Sequence, residues 1–311
     1  MSLRTIQQKG RLMIVQRPGY VHDDILLLGS RSINSYLIKG EQYALLGGGV
    51  PWVVARLEAQ LDEFDIDRER IRYLVISHAH HDHCGAVPYL LKKYPHLEVV
   101  CSSVCASVLN DDKQVELIKQ VCRKTLDALK RPHVFDGLPL DFCAVPVARE
   151  VGDGDRIDLG GGLSLQFFET PGHSRCSLSA YVPEIAGLFP ADAVPSPESD
   201  KRVLTVTANN DYGDYIRSLE KLADLPVRLV GYEHGGVLTE EDAEGIIARG
   251  LEATLEQRRR IHERYEELKD LESLIEEVTD KYRKLELFSL VPAGLLRAIT
   301  GRMVKSALGR V

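Results

Sequence analysis

The chain has 311 residues, 44% of them hydrophobic, enough to bury a full core in one large domain or one domain with an addition. Its 39 basic and 46 acidic side chains leave a net charge of −7, which excludes an overall basic footprint for nucleic acid. No stretch is apolar over the roughly 20 residues that a membrane helix needs, so no membrane partner is expected either. Six cysteines, at 84, 101, 105, 122, 143 and 176, form no CxxC pair and no small secreted framework. They read as reduced thiols, and residues 1–19 lack the apolar run of a signal peptide, so a cytoplasmic protein is expected.

Residues 24–49 hold three short apolar runs, divided at 29–34 and at Gly40-Glu41, a pattern that predicts a meander of strands. Residues 52–63 place apolar side chains at helical spacing, and residues 71–77 (IRYLVIS) read as a buried strand. A helix begins near Ala86, with Pro88 tolerable in its first turn, and a short strand follows over 98–101. Residues 103–130 read as a polar, mostly helical excursion. Strands resume in DRIDLGG, in LSLQFFETPG, and in LSAYVPEIAGLFPAD with a turn at 183–187. A helix over 212–222 leads into VRLVGYEHGG. Two runs of strands, each followed by helices, predict two sheets packed face to face with helices outside. From about residue 240 the chain becomes charged and helical, then ends in a more apolar helical tail punctuated by Pro292 and Gly301. Residues 1–240 therefore read as one domain and 241–311 as a helical extension. Like-charged neighbours such as Glu263 and Glu267 argue against an ion-pair ladder along that extension.

The chemistry concentrates in the run from Ser77 to Gly85, SHAHHDHCG. His78 and His80 leave a strand in extended geometry and can point to one side, while Asp82 and His83 sit where the chain turns into a helix. Two imidazoles for one ion, and a carboxylate with an imidazole for a neighbouring ion, suit Zn²⁺, and also iron or manganese. No single loop closes either shell. His173 in TPGHS, Asp192 in FPAD and His234 in EHGG are ligand types at strand ends, beside small residues that let the backbone approach. His96, His133 and His262 have no such context and read as ordinary polar residues; His81 reads as solvent-facing or supporting, and Cys84 as a small packing residue. Asp153 and Asp155 read as turn residues, and the glycines of LGGGV and LGGGL lack a dinucleotide fingerprint.

With HAHHDH followed in order by TPGHS, FPAD and EHGG, the chain resembles the metallo-β-lactamase superfamily over residues 22–237. That resemblance implies an α/β fold, the αββα metallo-β-lactamase sandwich with a C-terminal helical extension, and makes residues 1–240 the catalytic domain. It also implies one metal held by His78, His80 and His173, a second held by Asp82, His83 and His234, and Asp192 bridging them. The expected cofactors are two divalent transition-metal ions, zinc first, with iron or manganese as alternatives. The expected activity is hydrolysis of a small-molecule thioester, ester or lactone by a bridging hydroxide, with Asp82 as the catalytic residue that orients it. Diiron flavoproteins of the superfamily carry Glu where this chain has His80, which argues against oxygen or nitric oxide reduction. Three features resemble the quinolone-signal response thioesterases of pseudomonads: the continuation HDHCGAVPYL, the helical C-terminal extension, and LLGGGV in place of the usual Asp-Thr-Gly, which removes a common structural Asp. A metal-containing regulatory protein and a mononuclear-iron persulfide dioxygenase are the alternatives. The extension can serve as a lid over the pocket or as a homodimer interface, and the sequence names no substrate contact.

Overall fold

The structure is a computed structural model that describes residues 13–198, 203–288 and 291–310. The chain begins with strands β1 (Ile14–Val15), β2 (Gly19–His22), β3 (Ile25–Gly29), β4 (Asn34–Lys39) and β5 (Tyr43–Leu46). Helix α1 (Val54–Glu63), strand β6 (Ile71–Val75), the single turn α2 (His81–Cys84), α3 (Val87–Lys93) and β7 (Glu98–Cys101) follow. Next come α4 (Ser103–Leu109), α5 (Asp112–Ala128) and the small hairpin of β8 (Val134–Phe135) and β9 (Leu138–Pro139). The second half supplies β10 (Arg149–Glu150), β11 (Arg156–Gly160), β12 (Leu163–Glu169), β13 (Leu178–Val182) and β14 (Gly187–Phe189). It continues with β15 (Ser196–Pro197), β16 (Leu204–Thr205), α6 (Tyr212–Ala223), β17 (Leu229–Tyr232) and β18 (Gly236–Thr239). Helices α7 (Ile246–Leu268), α8 (Leu271–Arg283) and α9 (Ala293–Ala307) close the described chain.

Two seven-stranded sheets result, one in the order β10-β7-β6-β5-β4-β3-β2 and the other β1-β18-β17-β14-β13-β12-β11. In β3, Leu26 and Leu28 join Leu37, Leu45 and Leu74 beneath α1, α3, α4 and α5, while Ile25 and Leu27 turn the other way. They meet Tyr36, Ile38, Phe167 and Phe189 between the two sheets. Both faces of the strand are covered, so its sequence reads as an unbroken apolar run rather than an alternation. The outer face of the second sheet is covered by α6 and by the extension: Leu188 and Val230 share one cluster with Leu219, Ile246, Ile261, Leu274, Met303 and Val304. The layers are helix, sheet, sheet, helix.

Two observations depart from the sequence reading, and one reading falls outside the described residues. Strands β1 and β2 precede the meander, and β18 extends the last strand into a hairpin, its start hidden by Gly235-Gly236, which reads as a terminating turn. The extension has the solvated, charged helix faces expected, but its pairs also link neighbouring helices into a network, beyond what the like charges at Glu263 and Glu267 suggest. Arg259 and Arg260 engage Glu256, Arg264 reaches Glu267 and crosses to Glu277 on α8, and Arg297 on α9 reaches Glu272 and Glu276. These pairs are exposed and contribute little individually. Residues 1–12, including most of the segment read for a signal peptide, lie outside the described residues.

Candidate metal centre

Every candidate ligand follows the end of a strand whose residues are mostly buried or half-buried. β6 ends at Val75, and the chain runs extended to His80, which caps α2 with φ −75° and ψ 148°. The one turn of α2 then presents Asp82 and His83. It is held against the end of β5, where the Gly48 N–H donates to the His83 carbonyl at 2.9 Å. A Cβ on Gly48 would lie 2.7 Å from that carbonyl oxygen and 2.5 Å from Val87, so the LGGGV run serves close backbone approach. Gly172 plays the equivalent part for His173. Its φ is +130°, and a Cβ there would lie 2.3 Å from the Tyr215 backbone on α6. After β14, Ala191 adopts a left-handed φ of +48°, unfavourable for a residue with a Cβ, and aims Asp192 inward. The Asp192 carbonyl accepts from Thr207 Oγ1 at 3.0 Å and Tyr215 OH at 3.1 Å. His234 follows β17.

All seven side chains meet. His80 Nδ1 lies 3.0 Å from both His78 Nε2 and His173 Nε2. His83 Nε2 and His234 Nε2 are 3.1 Å apart, with Asp82 Oδ1 3.8 Å from the first and Asp82 Oδ2 3.6 Å from the second. Asp192 stands between the groups: its Oδ2 is 3.2 Å from His173 Nε2 and 3.3 Å from His83 Nε2, and its Oδ1 is 3.9 Å from His234 Nε2. Three imidazole nitrogens converging within 4.8 Å of one another present more lone pairs than they can satisfy among themselves, which suits a cation site. Within each triad the ligand atoms lie within 4.8 Å of one another. Zinc, iron and manganese all accept this nitrogen and carboxylate mixture.

The opposite ring nitrogens are fixed by the protein. His173 Nδ1 donates to the Thr207 carbonyl at 2.9 Å, and His234 Nδ1 donates to the Ser32 carbonyl at 2.7 Å. His83 Nδ1 donates to the Glu233 carboxylate, and both side chains are buried. Glu233 is the side chain at the candidate centre that sequence reasoning passed over. It packs beside Gly47, whose φ is +91° and whose notional Cβ would lie 3.4 Å from the carboxylate. Gly47 stands in the LGGGV run, where the usual Asp is missing, so a carboxylate from the second sheet lies beside that position. The signal was available only as a pairing of two peculiarities, a missing acid in LLGGGV and an extra one in YEHGG.

For His78, His173, Asp82 and Asp192 the electrostatics suit ligand duty; for His83 they favour a bound proton. Burial, reinforced for His78 by the neighbouring imidazoles of His83 and His80, holds His78 and His173 below the usual histidine range, hence neutral. Burial opposes charge on Asp82 and Asp192, yet the surrounding imidazoles overcome it and keep both carboxyls below their ordinary values. Burial also opposes charge on His83, but Asp82, Glu233 and Asp192 together raise it well above the ordinary value.

The remaining histidines lie elsewhere. His96 contacts the Arg68 carbonyl, His133 pairs with Asp127, and His262 contacts the Ala307 carbonyl. His81 is half-buried beside Asp82, and Cys84 is buried with its thiol on the His80 carbonyl. Asp155 closes its own turn onto the Gly152 N–H, and Asp153 accepts from the Glu169 N–H and Lys221.

A family model of the metallo-beta-lactamase superfamily matches residues 28–234, the span that contains both triads and Asp192. The chain belongs to the metallo-β-lactamase superfamily. Its αββα sandwich with C-terminal helices is that superfamily's fold. It is 29% identical over 171 residues to the metallo-beta-lactamase fold-containing protein ST1585 of Sulfurisphaera tokodaii, covering 55% of this chain and 63% of that one. It is 27% identical over 241 residues to an anaerobic nitric oxide reductase flavorubredoxin of Aeromonas hydrophila, covering 71% of this chain and 43% of the relative. The chain thus spans less than two thirds of either relative's length. Among solved structures, the superfamily protein ST1585 from Sulfolobus tokodaii superposes with a TM-score of 0.57 at 24% identity, over 74% of this chain and 86% of that one. The family protein TTHA1429 from Thermus thermophilus reaches 0.62 at 19% identity, over 92% and 93%. At these identities the structural likeness speaks for the fold.

Beside the centre lies a cavity of about 750 Å³ that reaches Asp82 and His234. Ile33, Trp52 and Leu129 line it, and so do Leu287, Val291, Pro292 and Leu295 from the extension. Among the described residues no helix is long and apolar enough to cross a membrane.

Proposed function

We propose that this protein is a dinuclear metal-dependent hydrolase acting on a thioester, with esters or lactones as related substrates. The observation that carries the reading is the junction of two complete ligand triads at Asp192, at one end of a cavity large enough for a small organic substrate. His78, His80 and His173 would hold one ion, Asp82, His83 and His234 the other, with Asp192 touching both. Bound there, divalent ions lower the pKa of water and polarise a carbonyl oxygen. The chain's own part is to position and to exclude water. Asp82 faces the cavity and can accept a hydrogen bond from the attacking water, orienting it toward the substrate carbonyl. The apolar lining from Trp52 and the extension removes bulk solvent and strengthens electrostatic interactions at the reacting carbonyl.

Thioester preference rests on the continuation HDHCGAVPYL, the substituted LLGGGV and the extension helices that line the cavity. The flavorubredoxin relatives raise a redox reading. His80 weighs against it, since an imidazole nitrogen 3.0 Å from two others stands where the superfamily's diiron flavoproteins carry Glu. The completeness of the second triad weighs against a mononuclear persulfide dioxygenase. The test is metal analysis of protein purified without added metal, followed by a screen of acyl thioesters, esters and lactones. Two ions per chain with thioester turnover is the expected result; one ion per chain, or turnover of none of the three classes, overturns the reading.

A further inference from the structure

The cavity beside the metal centre has a charge pattern opposite to that of the protein as a whole. The chain carries a net −7, yet Arg31, Arg56, Lys124 and Arg131 all line this one cavity. They arrive from separate segments: Arg31 from the turn between β3 and β4, Arg56 from α1, Lys124 from α5 and Arg131 from just beyond it. Arg56, Lys124 and Arg131 are exposed, and among the described residues none of the three makes an ion pair. Elsewhere the protein pairs its arginines readily, as Arg123 with Asp141 and Arg264 with Glu277. Among the described residues, two acids line the cavity. Asp82 belongs to the metal centre, and Glu198 is buried and accepts a hydrogen bond from Thr205 Oγ1 at 2.9 Å. His81 and His234 complete the titratable lining.

We infer that Arg56, Lys124 and Arg131 form an anion-binding rim that selects a thioester whose thiol carries phosphate or carboxylate, while the wall of Leu287, Val291, Pro292 and Leu295 takes the acyl chain. The inference rests on the thioester-hydrolase reading and adds the chemical class of the leaving group. Water adds to the carbonyl carbon, the C–S bond breaks, and carboxylic acid and thiol leave, the thiol taking one proton. A cationic rim holds the anionic thiol end in place while that bond is cut, and it draws the substrate in at long range.

The chain's single tryptophan, Trp52, lines the same cavity and reports occupancy without turnover. Metal-free protein is titrated with coenzyme A (phosphates), glutathione (carboxylates) and N-acetylcysteamine (neutral), following Trp52 emission. The anionic thiols bind more tightly than the neutral one, by roughly tenfold at low salt, and lose that advantage as ionic strength rises. The triple variant Arg56→Gln, Lys124→Gln, Arg131→Gln, checked for folding by circular dichroism, erases the difference. Coenzyme A against glutathione separates phosphate from carboxylate recognition. Equal binding of charged and neutral thiols, or unchanged discrimination in the triple variant, overturns the rim. Charge-selective binding without thioester hydrolysis in metal-loaded protein sinks the hydrolase reading and leaves the rim standing. Hydrolysis of acyl-coenzyme A and acyl-N-acetylcysteamine with equal kcat/KM does the reverse.

Discussion

Glu233→Ala tests the cross-sheet support of the metal centre most directly. Glu233 accepts the Nδ1–H of His83, and the two side chains are 7% and 1% exposed. Removing the carboxylate leaves a buried donor unpaired, which costs about 1–3 kcal/mol. It also releases the ring that must present Nε2 beside His234. Loss of such a supporting partner lowers metal affinity about 10–100-fold, equivalent to about 1.4–2.7 kcal/mol. Glu233→Gln keeps an accepting oxygen and loses only the charge, so it belongs at the lower end of that range and Glu233→Ala at the upper. The assay is competition between chelator-stripped protein and a fluorescent chelator, resolved into two binding steps. The step assigned to Asp82, His83 and His234 weakens, while that of His78, His80 and His173 changes little. Wild-type affinity for both ions in a folded Glu233→Ala protein would refute the argument.

Four further outcomes are expected. Asp192→Ala weakens both metal steps together, because its carboxylate touches both triads; retention of full metal content would exclude a bridging role. His80→Ala abolishes hydrolysis and His96→Ala leaves it intact, since His96 only contacts the Arg68 carbonyl; equal losses would point to general damage. Metal uptake by stripped protein releases protons and weakens as pH falls. His83 is raised above the ordinary value in the metal-free state, so it holds a proton that the ion must displace; uptake with no proton release, read in weakly buffered solution, would contradict this. Leu295→Glu, on the cavity wall and already 40% exposed, leaves folding near wild type and raises KM for long-chain acyl substrates more than for acetyl ones. A uniform effect across chain lengths would remove the extension from substrate selection. Deleting residues 285–311 is the poorer experiment, because Met303, Val304 and Ala307 are fully buried in the core shared with α6.

The convergence of the seven candidate ligands was legible because four of them occupy one short run and the other three sit in strand-end motifs that need no distant partner to be recognised. Apolar runs such as ILLLG announced buried strands for the same reason, since both faces are covered wherever the strand lies. What stayed hidden depends on contacts between remote segments. Glu233 acquires meaning only beside Gly47, almost 190 positions earlier in a different sheet. Of the ion pairs in the extension, those from Arg264 and Arg297 to other helices were hidden, since spacing along one helix does not show them, whereas Arg260 with Glu256 lies at the i,i+4 spacing of a single helix. The cavity, likewise, is assembled from β3–β4, α1, α5 and the extension, and no one of these carries its signature alone.

The ligands are divided between the sheets in a way that has a consequence for the protein's lifetime. His78, His80, Asp82 and His83 follow a strand of the first sheet, whereas His173, Asp192 and His234 follow strands of the second. Each triad takes members from both, so neither half of the sandwich can hold an ion without the other. An ion seated in either triad is therefore a stitch across the inter-sheet seam, and prying the halves apart forfeits its whole binding free energy. At a free-metal concentration a hundredfold above Kd, that adds about 2.7 kcal/mol per ion. Degradation that waits on transient opening would slow by the same factor of roughly one hundred for each ion bound. Metal supply would then set how long each copy of the protein survives, before any question of how fast it turns over substrate.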